Sequence, residues 1–334
     1  MRINRETLLK IARDTTAQRT RADRGIQAVY LSGALLEEEY LLGRTADIDL
    51  TFIHIDAPDR VREIQRLSDE VHLDIAHHAS KDYRQARKLR VHPWLGPAIF
   101  NCKILYDPQH FMDFTQASVR GQFDRGDYVM SRSRQQAEHA RQIWFGFSND
   151  LPDPGPKEIG LYLRAVDHAA NTVASLSGIP LTERRFLLKF PMRAEAVERP
   201  GLYPGLLGLL GAPKVEPEMI QSWLPAWQSD FTNVPAEDAD GRIHPDRMTY
   251  YLRAFEEILK GDQPFAVLWP MLRTWTLAAG LLPGGKGSPA WSEACARLEL
   301  LGEAFEERVS ALDAYLDMVE ETLDKWGREN GVFT

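Results

Sequence analysis

An α+β chain with two unlike parts is what the sequence predicts. Three observations predict it. Apolar runs with strand alternation, IQAVYL (26–31), DIDLTFIHI (47–55), EVHLDIAHHA (70–79) and NCKILYDP (101–108), all lie early in the chain. A Pro- and Gly-rich break, DLPDPGPKE, follows at 150–158. Beyond it, apolar residues recur at helical spacing. The expected domains are therefore 1–150, strands and helices together, and 151–334, helices alone.

In order, residues 4–20 predict a helix, with Leu8, Leu9 and Ile11 on its apolar side. The strand 26–31 ends in the turn Ser32-Gly33, and 34–42 reads as a short helix opening after the glycine. Strand 47–55 follows. Pro58 suits the first turn of a helix running to about Leu67. Strand 70–79 leads into the basic run KDYRQARKLR (81–90), which has helix-compatible sequence and reads as a solvated face. Strand 101–108 precedes a long helix over 125–147. After the break come helices over 157–177, about 183–198, 214–230, 245–261, 264–281 and 289–326.

The 334 residues carry a formal net charge of -8 and are 44% hydrophobic. An acidic chain is poorly suited to nonspecific nucleic-acid binding, which neutralises phosphates with Lys and Arg. Cys102 and Cys295 stand far apart with no metal-binding spacing, as lone thiols do in a reducing compartment. The start of the chain is polar, without the apolar stretch of a signal peptide. The apolar segment 265–283 has Pro270 and Arg273 at its centre, which disfavours a membrane span. These features predict a soluble, cytoplasmic protein with no membrane partner.

Residues i and i+2 of a strand share a face, so Asp47 and Asp49 project together and Ile48 and Leu50 oppose them. Adjacent carboxylates repel unless something positive joins them. A hard divalent cation is the natural partner, and Mg²⁺ is usually held by one or two carboxylates plus substrate phosphates. Asp74 lies in the middle of the next long strand. If the two strands are neighbours, three carboxylates converge, the composition of a two-metal phosphoryl-transfer site. His72 and His78 share the Asp74 face, and a hydrogen-bonded or exposed role is the simpler reading for both. The strand–turn–helix junction at Ser32-Gly33 offers backbone N–H groups to phosphate.

Taken together, Gly33-Ala34, twelve intervening residues, Asp47-Ile48-Asp49 with apolar Leu50, and Asp74 resemble the nucleotidyltransferase superfamily related to DNA polymerase β. The resemblance covers about residues 26–80. It extends loosely to the helical part, which looks like the substrate domain of aminoglycoside-type, small-molecule nucleotidyltransferases. It implies an N-terminal nucleotidyltransferase domain with a mixed β-sheet flanked by helices, then an all-helical substrate-binding or regulatory domain. It also implies Mg²⁺ on Asp47, Asp49 and Asp74, with a nucleoside triphosphate, ATP being the expected donor. Transfer would be to a hydroxyl of a small antibiotic-like molecule or a protein, with pyrophosphate released. Asp74 would take the acceptor proton or complete the metal site, and in some members a base lies on the helical domain, where Glu158 and Asp167 stand. The family has Ser or Gly where this chain has Ala34, so Ser32 would supply the phosphate-holding hydroxyl. Arg44, after Gly43, would stand near the phosphates. The acidic last helix would suit a cationic acceptor, although solvated surface is its default reading. Two alternatives share the fold: a catalytically decayed regulator or nucleotide sensor, which Ala34 favours, and a toxin-type enzyme acting on tRNA or protein.

Overall fold

Five strands form one mixed sheet in the first part of the chain, and helices build the rest. The computed structural model describes residues 3–149, 153–235 and 239–332. It divides the chain into two compact units, Met1–Tyr128 and Val129–Thr334. The division precedes the Pro-rich stretch, whose first residues, 150–152, lie outside the described ones.

The first unit contains α1 (Arg5–Ala22), β1 (Ile26–Ser32), β2 (Ala46–His54), β3 (Arg62–Arg66), β4 (Val71–Ala79), α2 (Ala86–Val91), α3 (Leu95–Asn101), β5 (Lys103–Tyr106) and α4 (Phe111–Arg120). The strand order is β3-β4-β2-β1-β5. β2 and β4 run parallel, and the other pairs are antiparallel. α1 opens where the Asn4 side chain accepts the Thr7 N–H at 2.8 Å, satisfying a donor that the helix itself leaves unpaired. Its Leu8 and Ala12 pack on the sheet face carrying Ile48, Leu50, Phe52, Leu73 and Ile75. Each fully buried Leu, Ile or Phe there contributes about 1.5–3 kcal/mol. The opposite face packs Ala28, Tyr30 and Ile53 against Tyr83, Leu89, Ile99 and Met112. The predicted alternation of β2 is thus realised, with aliphatics under α1 and aspartates on the other side.

Two predicted helices in this unit are not helices. Residues 34–42 form a single 3₁₀ turn over Ala34–Leu36. The segment after Pro58 contains strand β3, paired antiparallel with β4. REIQR has little apolar content of its own, so the free edge of β4, rather than local preference, makes it a strand.

A polar chain fastens this edge to α1. Arg19 donates to Glu63 at 3.0 Å, His77 Nε2 lies 2.9 Å from the other Glu63 oxygen, and His54 Nε2 lies 2.9 Å from His77 Nδ1. Burial, reinforced by the neighbouring His77, lowers the pKa of His54. Burial works to raise Glu63, but the His77 bond and the Arg19 charge outweigh it, and its pKa falls.

In the second unit, α5 (Gly126–Asn149) anchors through Arg141, which donates to Glu320, Asp313 and Asp317 at 2.8, 2.5 and 2.7 Å. Phe147 meets Phe305 edge to face. These contacts account for α5 belonging with the helices, although it starts before the Pro-rich stretch. α6 (Pro156–Leu176) begins with Pro at its first turn, as predicted. Two predicted helices are split. Pro225 permits a new start, giving Pro217–Ser222 and Leu224–Thr232. Left-handed residues Glu299 and Gly302 separate Pro289–Arg297 from Ala304–Glu329. The Pro- and Gly-rich RPGLYPG runs into the helix Leu202–Leu209. Cys102 and Cys295 are both buried and free. Among the described residues, no helix is long and apolar enough to cross a membrane.

The histidines of the first unit predict its pH dependence. Burial depresses His54, His78 and His92 alike. A depressed histidine leaves the unfolded chain to take up the proton first, so stability is complete above about pH 6.5 and declines as the pH falls toward the folded-state values. Thermal melts should drop by a few degrees between pH 7.5 and 5.5, and His54→Gln should shallow that slope.

Candidate metal centre

Strand pairing assembles the site. In the parallel pair, Asp49 stands beside Asp74 and Asp47 beside His72. In the antiparallel pair, Asp49 stands opposite Ser32. Residues directly opposed across strands point to the same face. Asp47, Asp49 and Asp74 therefore converge, each offering an oxygen within 4.8 Å of the others'. Asp47 and Asp74 are buried and Asp49 is half-buried.

Gly33 is fixed by two constraints at once. Its φ of 76° with ψ of −163° lies in a region essentially reserved for glycine. A Cβ built on it would also stand 1.9 Å from Asp49 Oδ2. The missing side chain thus leaves the room in which the Asp49 carboxylate sits against the turn. Because Ala34–Leu36 is a single 3₁₀ turn, the helix N-terminus expected for phosphate is absent, and the turn offers the Ser32 hydroxyl and its own backbone.

Arg62, which the sequence did not single out, grips Asp74 with two hydrogen bonds: Nε to Oδ1 at 2.7 Å and an NH2 nitrogen to Oδ2 at 2.5 Å. It reaches the site because Arg62 pairs with Ala76, two residues along β4 from Asp74 and on the same face. Arg44 is exposed at the tip of the tight turn that precedes β2, where Gly43 and Arg44 both have positive φ and Leu42 and Thr45 exchange hydrogen bonds. Arg62 is the arginine on Asp74. A signal for it existed only in the alternation of Arg62, Ile64 and Arg66, which the helix reading of that segment concealed.

The two histidines sharing the Asp74 face do different things. His72 is fully buried, with Nδ1 3.9 Å from Asp47 Oδ1. His78 Nδ1 lies 2.6 Å from the Tyr83 hydroxyl, which is 3.0 Å from that of Tyr30. Of the helical-unit carboxylates, Glu158 accepts the Gly155 N–H at 3.1 Å and caps α6. Asp167 accepts from Asn171 at 2.8 Å and from Arg273 at 3.3 Å. Burial pushes Asp167 up to about 6, with the Arg273 charge opposing.

Four side-chain features define what the site can do: three oxygen donors in reach of one ion, a guanidinium on one of them, a hydroxyl across the strand, and a turn without a Cβ. Such a set fits a hard divalent cation and an anionic ligand beside it. No protein-family model matches the chain, and no curated protein matches it. The site therefore stands on its geometry.

Two substitutions test that geometry. Gly33→Ala should displace Asp49, lower stability by about 1–3 kcal/mol and abolish binding of Mn²⁺ followed by its electron paramagnetic resonance signal. Arg62→Gln removes a positive charge from the cluster. It should lower the melting temperature in metal-free buffer and enlarge the rise produced by added Mn²⁺ above the wild-type value. An equal rise in both proteins would mean that the ion does not bind at these carboxylates.

Proposed function

We propose that the chain is a nucleotidyltransferase that moves a nucleoside monophosphate from a nucleoside triphosphate, with ATP the expected donor, to a hydroxyl of a small molecule or protein. The observation that carries this reading is the convergence of Asp47, Asp49 and Asp74 within 4.8 Å beside a backbone position that accepts glycine alone. The all-oxygen donor set suits Mg²⁺, which Asp47 and Asp49 would hold with Asp74 completing the set. When bound, the ion supplies charge neutralisation and polarisation of the phosphates.

The chain's own residues supply the rest. The Ser32 hydroxyl and the Gly33-Ala34 backbone would hold the departing phosphates. The acceptor oxygen forms a bond to the α-phosphorus, the bond from that phosphorus to the bridging oxygen breaks, and pyrophosphate leaves with the electron pair. The hydroxyl proton passes to a base. Both Asp74 oxygens already accept from Arg62, at 2.7 and 2.5 Å. This favours a holding role for Asp74 over a proton-accepting one.

Arg62 also favours a second reading. A guanidinium on Asp74 supplies positive charge where a cation would, and Ala34 lacks the family's hydroxyl. In that reading the chain binds nucleotide without turnover, as a sensor.

Asp49→Asn separates the outcomes. In the first reading, ATP with Mg²⁺ raises the melting temperature of the wild type by mass action, and the variant loses that rise while keeping its fold. Pyrophosphate release with a hydroxyl acceptor should fall by about a thousandfold or more. Undiminished turnover in the variant would sink the metal assignment. Nucleotide binding without pyrophosphate release, across a panel of hydroxyl acceptors, would support the sensor.

A further inference from the structure

On the sheet face that carries the carboxylates, Tyr30 and Ser32 of β1, Thr51 of β2 and His78 of β4 floor a cavity of about 680 Å³. Residues of the 3₁₀ turn Ser80–Tyr83 and of the segment containing α2 and α3 wall it. A volume of that order accommodates a drug-sized molecule. We infer that this cavity is the acceptor site, and that it takes a small anionic molecule built on a flat apolar ring. The word acceptor rests on the nucleotidyltransferase reading; the ligand chemistry rests on the cavity alone.

The cavity meets the nucleotide phosphates at one end only. Ser32 is level with Asp49 across the strands, and His78 is level with Ile53. The floor therefore extends four residues along the strands, about 13 Å. Phosphates gathered at Ser32 and the carboxylates occupy one end. Lys81, two residues past the end of β4, belongs to the other.

Charge then selects the ligand. The cavity is lined by Lys81 and Lys88 against Asp82, an excess of positive charge in a chain whose formal net charge is -8. A nucleobase is neutral and offers two ammonium groups hydrogen-bond acceptors but no opposite charge. A carboxylate or phosphate on a second molecule supplies that charge. The basic run that reads in sequence as a solvated face thus has two of its lysines at a cavity.

Shape selects the ring. Trp94, 37% exposed, forms the wall with Leu89, Leu95 and Ala98. A large indole left open at a cavity is a surface for stacking. At the floor, Tyr83 holds His78 Nδ1, so the nitrogen left for a ligand is Nε2. Burial keeps His78 below its usual pKa and Tyr83 far above its own, so both are neutral at pH 7. A cationic acceptor, which the acidic last helix suggested, would meet lysines here.

The test is isothermal titration calorimetry on the full chain with phenyl phosphate, and with benzylamine as the cationic counterpart. Phenyl phosphate should bind with one-to-one stoichiometry, and benzylamine should not bind. The double variant Lys81→Gln/Lys88→Gln should bind phenyl phosphate roughly tenfold more weakly. Its melting temperature should match the wild type, since both side chains are exposed. Saturating ATP with Mg²⁺ should leave phenyl phosphate binding in place. The inference is overturned if phenyl phosphate fails to bind, if benzylamine binds as well, or if the double variant binds unchanged. It is equally overturned if ATP displaces phenyl phosphate one for one, because the cavity then houses the donor. Should ATP with Mg²⁺ not bind at all, the nucleotidyltransferase reading fails, while phenyl phosphate still decides what the cavity takes.

Discussion

Three carboxylates within reach of one ion must be held together against their own repulsion, and the first unit is organised around that constraint. With oxygens within 4.8 Å of one another and an effective dielectric near 20, a pair of full charges at that distance repels by about 3 kcal/mol. Three such pairs approach the whole stability of a typical domain, about 5–15 kcal/mol. Asp47 and Asp49 cannot retreat, because Ile48 and Leu50 between and beside them are locked under α1. Asp74 cannot slide away, because the parallel β2–β4 register runs unbroken from Ala46 to His54. Slipping by one residue would exchange the aspartates with the aliphatics of the core. The hydrophobic face thus fixes the charged one, and positive charge must come to the carboxylates.

Arg62 shows how the sheet supplies part of that charge. β3 has few apolar residues to bury, and it lies at the edge. It is nonetheless tied to β4 by its ladder and to α1 through Glu63 and Arg19. The result is a guanidinium delivered to Asp74 at fixed geometry, with the fork of the arginine matched to both oxygens. A lysine at this position would give a point charge and lose the two-bond match.

Much of this was legible in the sequence, and the parts that were not have a common cause. Asp47, Asp49 and Asp74 are visible because acidic residues interrupt runs of buried strand formers, and period-two alternation says which face they take. Gly33 is visible because it ends an apolar strand. β3 is barely visible: its five residues offer only the faint alternation of Arg62, Ile64 and Arg66, and the pairing that makes them a strand comes from β4. Residues 34–42 suit a helix in composition, with Ala34, Leu35, Leu36, Leu41 and Leu42 around three glutamates, whereas Gly33's positive φ and the tight turn at Gly43-Arg44 leave length for the Ala34–Leu36 turn alone. Lys81 and Lys88 read as surface and are exposed, but that they also line a cavity depends on how the segment of α2 and α3 lies against the sheet.

The same arrangement makes the two readings of the site physically distinguishable. A fixed arginine and a divalent cation both neutralise a carboxylate, but they leave it in different states. The guanidinium occupies both oxygens of Asp74 from the β3 side, whereas Asp47 and Asp49 belong to β2, and Asp49 sits against the turn at Gly33. A site that had only to neutralise itself would have no use for a glycine held at a conformation closed to other residues, since a Cβ there collides with Asp49, which stands on β2 beyond the Asp74 that Arg62 grips. The space kept beside Asp49 is room for that carboxylate to work in, and it weighs toward a site that takes an ion and an anion together over one that has settled for its own arginine.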